Sequence, residues 1–521
     1  MRELPPEVLK GLRRGIEKEG LRIRDDGMLA DTPHPPALGS ALTHPNITTD
    51  FSESQLELIT GVHASADDCL RELVLLHQAV YRHIGDEIIW CASMPCRLPD
   101  EDRIPIARYG DSNVGRMKTL YREGLSRRYG RRMQVISGIH YNFSLPDEAW
   151  NFCGDAGDSG ATGTARDRQY LALIRNFRRH SWLLLLLLGT APAACGSFVA
   201  GREHGLATWD TGTVYGPGAT SLRMGRLGYQ SDAQASLAVS FNDLRGYALA
   251  LNRALTEPYP AYEAIGLREG GRYLQLATTL LQIENEFYGT IRPKRTPAPG
   301  ERPLHALGER GIGYIEVRCL DVDPFQPVGI GVDTMRLLDV FLLHCLLADS
   351  PPDSPAEIAA IARNQRLVAE AGRDPATRLA RAGEAIAPAE WGARLLEACE
   401  PIAAALDEAQ ACGDHVRVLA AAQRALREPA SLPSARLLRE VEQAHGRSFP
   451  GFVLAQSRRH RDDIMARPLA PDAAARLTHL AARSLEEQRR IEAADDVAFE
   501  AYRERYLGQD LLSGPHFRPG G

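Results

Sequence analysis

Gly15-Ile16-Glu17-Lys18-Glu19-Gly20-Leu21-Arg22-Ile23 is the stretch from which the rest of this chain is read. As an extended segment it alternates between two faces, so Glu17, Glu19, Leu21 and Ile23 share one of them. A face that carries Leu and Ile points inward, which puts the two glutamates at the rim of something partly buried. A second stretch, Gly313-Tyr314-Ile315-Glu316-Val317-Arg318-Cys319, has Ile315, Val317 and Cys319 on its apolar face and Glu316 with Arg318 on the other. Paired carboxylates near a core need a cation, and hard oxygen ligands suit Mg²⁺ or Mn²⁺. The pattern points to an enzyme that handles a metal-bound phosphate.

The bulk numbers are compatible with that reading. A chain of 521 residues builds a well-developed core, in one large unit or in two or more domains. A net charge of −6 argues against a general nucleic-acid binder. Nine cysteines, odd in number and irregular in spacing, fit reduced thiols in a cytosolic protein, and Cys91 with Cys96 lacks the second pair that a zinc site needs. The N-terminus has no signal-peptide core. Trp182 to Ala200 is the most apolar segment, but Gly189, Pro192 and Gly196 interrupt it; it reads as a buried helix followed by a loop, not a membrane span.

Helical spacing predicts a helix over Ser65 to Gly85, with Ser65 as N-cap and Asp67-Asp68 in the first turn. Asn46 to Thr60 is strand-like. Ile139 to Leu145 alternates, placing His140, Asn142 and Ser144 on one face. Gly154 to Gly163 reads as a flexible connection. Ile291-Arg292-Pro293-Lys294-Arg295 reads as a basic turn. After about Ser354 Ala, Leu, Arg and Glu dominate and strand alternation stops; Pro351, Pro352 and Pro355 mark the boundary. The expectation is an α+β chain: a mixed sheet-and-helix catalytic region over residues 1–353, then a mostly helical region over 354–521 packed on it as one structural unit.

Glu17, Glu19, Asp50, Glu57 and Glu316 each sit on or beside a strand pattern, and a multi-metal phosphate site needs carboxylates converging from several strands. Any one of them alone is an ordinary solvated group; the Glu-x-Glu pair and Glu316, with apolar neighbours, are harder to dismiss. His140 is either a ligand or a core histidine bonded to backbone. Arg122, Arg223, Arg318, Lys294 and Arg295 are candidate anion binders, Arg318 foremost because it shares a face with Glu316. No Walker-type phosphate loop, dinucleotide fingerprint or Gly-x-Ser-x-Gly elbow is present, so a nucleotide here must be held by metals and basic side chains.

Longer runs carry a resemblance. Arg14 to Arg22, Leu38 to His44, Ile47 to Glu53, Leu56 to Thr60, Lys118-Thr119-Leu120-Tyr121-Arg122-Glu123-Gly124-Leu125, Ile136 to Ser144, Leu281 to Glu286, Ile291 to Arg295 and Tyr314 to Arg318 resemble, in order, the proteobacterial type of glutamate–cysteine ligase. The resemblance implies a fold like that of glutamine synthetase, an antiparallel sheet curved into a funnel with metals and nucleotide inside. It implies ATP-dependent joining of the glutamate γ-carboxylate to the amino group of cysteine, the first step of glutathione synthesis. Glu17, Glu19, Asp50, Glu57, His140 and Glu316 would then hold Mg²⁺, and Arg318 would meet glutamate or the transferring phosphoryl group. Arg223, Tyr229 and Tyr288, with Phe51 nearby, would line the cysteine pocket, while Arg122, Lys294 and Arg295 would lie near the nucleotide. A cytoplasmic monomer is expected, without nucleic-acid or membrane partners. The rival readings are a related carboxylate–amine ligase with a different amine acceptor, a metallohydrolase using His140, and a metal-stabilised scaffold.

Overall fold

The computed structural model describes residues 4–152, 163–209, 212–228, 232–235 and 237–518. Tyr229 and nearly all of the Gly154–Gly163 connection lie outside the described residues.

One sheet organises the molecule. Its strands are β1 (Arg13–Ile23), β2 (Ile47–Thr49), β3 (Gln55–Ile59), β4 (Ile88–Ile89), β5 (Ile139–Ser144), β6 (Ile291–Lys294) and β7 (Tyr314–Leu320). They run in the order β6-β7-β5-β1-β3-β2, with β4 added to β1, and every pairing is antiparallel. β6 and β2 are edges that do not meet, so the sheet is open and not a barrel. The helices that matter for the site are α1 (Ala66–Tyr81), α2 (Asn113–Tyr129), α3 (Val332–Leu347), α4 (Pro388–Gln410), α5 (Asp414–Arg427) and α6 (Phe499–Leu507). Ser65 caps α1, its hydroxyl accepting from the amides of Asp67 and Asp68 as the sequence predicts.

Four local readings change. Asn46–Thr60 is two strands, not one, because the polar run Ser52-Glu53-Ser54 turns the chain; the Gln55 amide donates to the Ser52 carbonyl at 2.9 Å. The basic turn at 291–295 is mostly the edge strand β6, paired to β7 along its whole length. The apolar segment after Trp182 is a buried helix (Trp182–Leu188) whose continuation, read as a loop, holds a short strand (Ala193–Cys195) and a helical turn (Gly196–Val199). The helical C-terminal region contains a hairpin, Leu379–Arg381 with Glu384–Ile386. Its two-residue turn, Ala382-Gly383, has both φ values positive (50° and 88°), the geometry that matches strand twist. Among the described residues no helix is long and apolar enough to cross a membrane.

The back of the sheet is a closed core. Arg14 donates from Nη2 to Asp339 of α3 at 2.8 Å and from Nε to the Tyr141 hydroxyl at 3.2 Å, and that hydroxyl donates to Asp339 at 2.7 Å. Arg14 and Asp339 are each 2% exposed, so this charge pair is satisfied wholly within the protein. Lys18, on the same side of β1, lies 3.2 Å from His77 of α1, and burial pushes its ammonium down to about 8.

Candidate active site

The front of the sheet is built by strand register. Glu17 stands opposite His140 on one side and Ile59 on the other. Glu19 stands opposite Glu57, which in turn stands opposite Thr48. Glu316 stands between Asn142 and Arg292. Period-two alternation therefore sends Arg292 and Lys294 of β6, Glu316 and Arg318 of β7, His140 of β5, Glu17 and Glu19 of β1 and Glu57 of β3 into one cavity of about 630 Å³.

Distances within the cluster are short. Nδ1 of His140 lies 3.2 Å from Glu17 and 3.7 Å from Glu316, and its Nε2 lies 3.6 Å from Glu19. Glu316 also meets Lys294 at 3.3 Å and Arg318 at 3.1 Å. Asn142 donates to Glu17 at 2.8 Å, and the Gly138 amide donates to Glu19 at 2.7 Å. Among the described residues the Glu57 carboxylate makes no hydrogen bond or ion pair.

These contacts divide the carboxylates. Burial works against the charged form of Glu316, but Lys294, Arg318 and His140 outweigh it and hold the group well below the usual carboxylate range. Glu17 is likewise lowered: burial opposes, and the His140 hydrogen bond and Lys294 prevail. Glu19 is pushed up to about 8 by burial and by Asp50. Glu57 is pushed well above its ordinary value by burial and by Glu17, Asp50 and Glu19. His140 is lowered by burial and by Arg318, so its neutral imidazole is available as a ligand.

A hard divalent cation fits this donor set. Single ligand atoms of Glu17, Glu57 and His140 lie within 4.8 Å of one another. Oxygens with one imidazole suit Mg²⁺ or Mn²⁺. The raised carboxyls of Glu19 and Glu57 are what an acidic pocket shows when no cation offsets it, and Oδ1 of Asn142 is buried without a hydrogen-bond partner among the described residues.

The wall facing the sheet comes from α2. Val114, Met117, Lys118, Tyr121, Arg122 and Leu125 line the cavity at spacings of three and four, which is one side of a helix. Arg122 stacks on the ring of Tyr109 at 4.5 Å and donates to the carbonyl of Asp50. Burial, reinforced by Arg122, pushes Lys118 down to about 8. Tyr502 and Tyr506, one turn apart on α6, complete the wall, with Pro297 to Glu301 at the mouth.

Most of the residues singled out from the sequence meet here. Glu17, Glu19, Asp50, Glu57, His140, Glu316, Arg318, Lys294, Arg122, Phe51 and Tyr288 all line this cavity. Arg295 does not: just past the end of the edge strand at Lys294, it turns the other way and donates to the carbonyls of Gly311 and Arg310, at 2.7 and 2.5 Å. Arg223 lines an adjoining cavity of about 490 Å³, with Tyr288 and Arg318 on the shared side. Its guanidinium is buried and donates to the Arg318 carbonyl at 2.9 Å. The sequence reading did not single out Lys118, Tyr502 or Tyr506. The helical spacing around Arg122 could have drawn attention to Lys118; nothing local marks the two tyrosines.

Comparisons with known proteins place the chain in a family. The family model for glutamate–cysteine ligase matches residues 2–368. Glutamate–cysteine ligase of Alcanivorax borkumensis is 47% identical over 506 residues, covering 96% of each chain. That of Bordetella petrii is 49% identical over 517 residues, covering 98% of this chain and 97% of its own. The crystal structure of glutamate–cysteine ligase from Francisella tularensis in complex with AMP superposes with a TM-score of 0.90 at 35% identity, covering 98% of both chains. A bifunctional glutathione synthetase from Pasteurella multocida gives 0.70 at 25% identity, covering 91% of this chain and 57% of that one.

Proposed function

The chain belongs to the glutamate–cysteine ligase family, and from that premise we propose how its cavity performs the reaction. The enzyme joins the γ-carboxylate of L-glutamate to the amino group of L-cysteine with ATP, through γ-glutamyl phosphate, giving γ-glutamylcysteine, ADP and phosphate in the first step of glutathione synthesis. The observation that carries the site assignment is the single sheet face on which Glu17, Glu19, Glu57, His140 and Glu316 converge beside Lys294 and Arg318.

A carboxylate is a poor electrophile, so amide formation at neutral pH needs prior phosphorylation. Glu17, Glu19, Asp50, Glu57, His140 and Glu316 would hold Mg²⁺, with Mn²⁺ as a substitute. When bound there, the cation would offset charge between the triphosphate and the glutamate carboxylate. Lys294 and Arg318, both anchored on Glu316, fix two positive groups over the cluster where charge develops on the transferring phosphoryl. Lys118 and Arg122 on the opposite wall face the polyphosphate, and Tyr502 and Tyr506 offer flat apolar faces toward the base. Tyr288, which the two cavities share, and Arg223 of the adjoining one orient cysteine together with Phe51 and Tyr229. The amine then attacks the acyl carbon, phosphate leaves, and the protein's part is alignment. Residues 354–521 act with 1–353 as one catalytic unit, and the enzyme works as a cytoplasmic monomer.

ADP release tests the whole assignment. It is expected to be fast with glutamate plus cysteine and slow with glutamate alone. Replacing cysteine by 2-aminobutyrate reports how far the thiol contributes. Release indifferent to the amino acids would overturn the ligase reading, and faster turnover with another amine would reassign the acceptor.

A further inference from the structure

Away from the cavity, Asp407, Cys412 and His415 bring one oxygen, one sulfur and one nitrogen together where α4 ends and α5 begins. Sγ of Cys412 lies 3.2 Å from Oδ1 of Asp407 and 3.8 Å from Nδ1 of His415, and the oxygen and nitrogen are 2.7 Å apart. A tetrahedral zinc ion with bonds of about 2.0–2.3 Å spaces such donors about 3.3–3.6 Å apart. The two sulfur edges already fall close to that range, and the third must open by about 0.6 Å to reach it.

The carboxylate is held in place from behind. Oδ1 of Asp407 accepts from the amide of His415 at 2.9 Å, and Oδ2 accepts from the amide of Val416 at 3.0 Å. Such hydrogen bonds orient a ligating group without occupying the metal's side of it. Asp407 and His415 are buried, whereas Cys412 is exposed, so the cluster has an opening to water. The donor set is unlike that of the catalytic cavity: with a thiol and an imidazole it selects Zn²⁺-class ions over Mg²⁺.

We propose that Asp407, Cys412 and His415 form a Zn²⁺-class metal site, with water in the fourth position, that ties the end of α4 to the start of α5. Binding releases the Cys412 thiol proton to solvent and uses Nδ1 of His415, whose ring proton then sits on Nε2. The competing account is that Asp407 only caps α5 and the thiol and imidazole are its neighbours.

The full chain, stripped of metal and held in excess Mg²⁺, is titrated with Co²⁺. One equivalent is expected to bring up a near-ultraviolet sulfur-to-cobalt charge-transfer band, which Zn²⁺ then bleaches. Cys412→Ser is expected to remove the band while leaving ligase activity unchanged. Absence of the band, or its persistence in Cys412→Ser, would overturn the proposal. Alkylation of Cys412 by iodoacetamide gives a readout on the wild-type fold itself. Equimolar Zn²⁺ should slow it at least tenfold where Mg²⁺ does not, and an unchanged rate would leave only the helix cap.

Discussion

The two faces of β1 and β5 carry comparable charge and put it to opposite use. Behind the sheet, Arg14, Asp339 and Tyr141 close on one another, each charge answered by a protein group. In front, Glu19 is buried and Glu57 half-buried among further carboxylates, and their protonation equilibria are displaced accordingly. A buried network that is complete adds rigidity, and one that needs an outside cation adds a binding site. The same strands supply both because alternation separates the two by a single residue.

Breaking the closed side should cost the most. Asp339→Ala leaves Arg14 buried without its partner and is expected to destabilise the fold by about 3–5 kcal/mol, read by denaturant unfolding, with kcat per folded molecule retained. A loss below about 1 kcal/mol would mean that the back of the sheet is less tightly closed than its geometry implies. On the open side the order reverses. Glu17→Gln or Glu316→Gln should keep the wild-type circular dichroism and lower kcat on the order of 10²–10³-fold. Near-normal turnover with unchanged Mg²⁺ dependence would remove the ligand role of the residue concerned.

The pH dependence of stability sharpens the contrast. Folding raises the Glu19 carboxyl from 4.5 to about 8, so across that interval the folded, metal-free protein binds more protons than the unfolded chain. Its stability therefore falls as pH rises through that window, and Glu57 acts in the same direction. Melting temperatures of the metal-free protein should drop across the window, less steeply in Glu19→Gln. Added Mg²⁺, which displaces the proton, should stabilise more as pH rises toward 8. Equal slopes for the two proteins would break the argument. The smallest effect separates neighbours on the edge strand. Lys294→Ala should raise KM for ATP about tenfold, the worth of one charge-assisted contact. Arg295→Ala should leave it within about twofold, as a surface change does.

Much of this was legible in the sequence where one face of a strand is apolar and the other is not. The alternation in 15–23 and 313–319 isolates Glu17, Glu19 and Glu316 without knowledge of the fold; strand patterns also offered Asp50, Glu57 and His140 as candidates, and the motif resemblance implied that they are ligands. Lys294 and Arg295 show where that reading stopped: taken as a turn, they look equivalent, whereas Lys294 ends a strand facing the cavity and Arg295, just past it, turns away. The hairpin at 379–386 was hidden because Ala, Arg and Glu favour helix, and only its positive-φ turn reveals it. Lys118 shares a helix face with Arg122 and was open to a reading of that spacing, whereas Tyr502 and Tyr506 enter the cavity through tertiary packing of α6, which no local pattern announces.

The cavity draws Glu17 from one end of the chain and Tyr506 from the other. A ribosome that has released the sheet and its carboxylates has still not delivered the surface against which a nucleotide base would rest. The complete cavity must therefore arrive late in synthesis, and a truncation or frameshift between β7 and α6 would leave a chain that carries every residue of the acidic cluster and lacks one wall of the cavity.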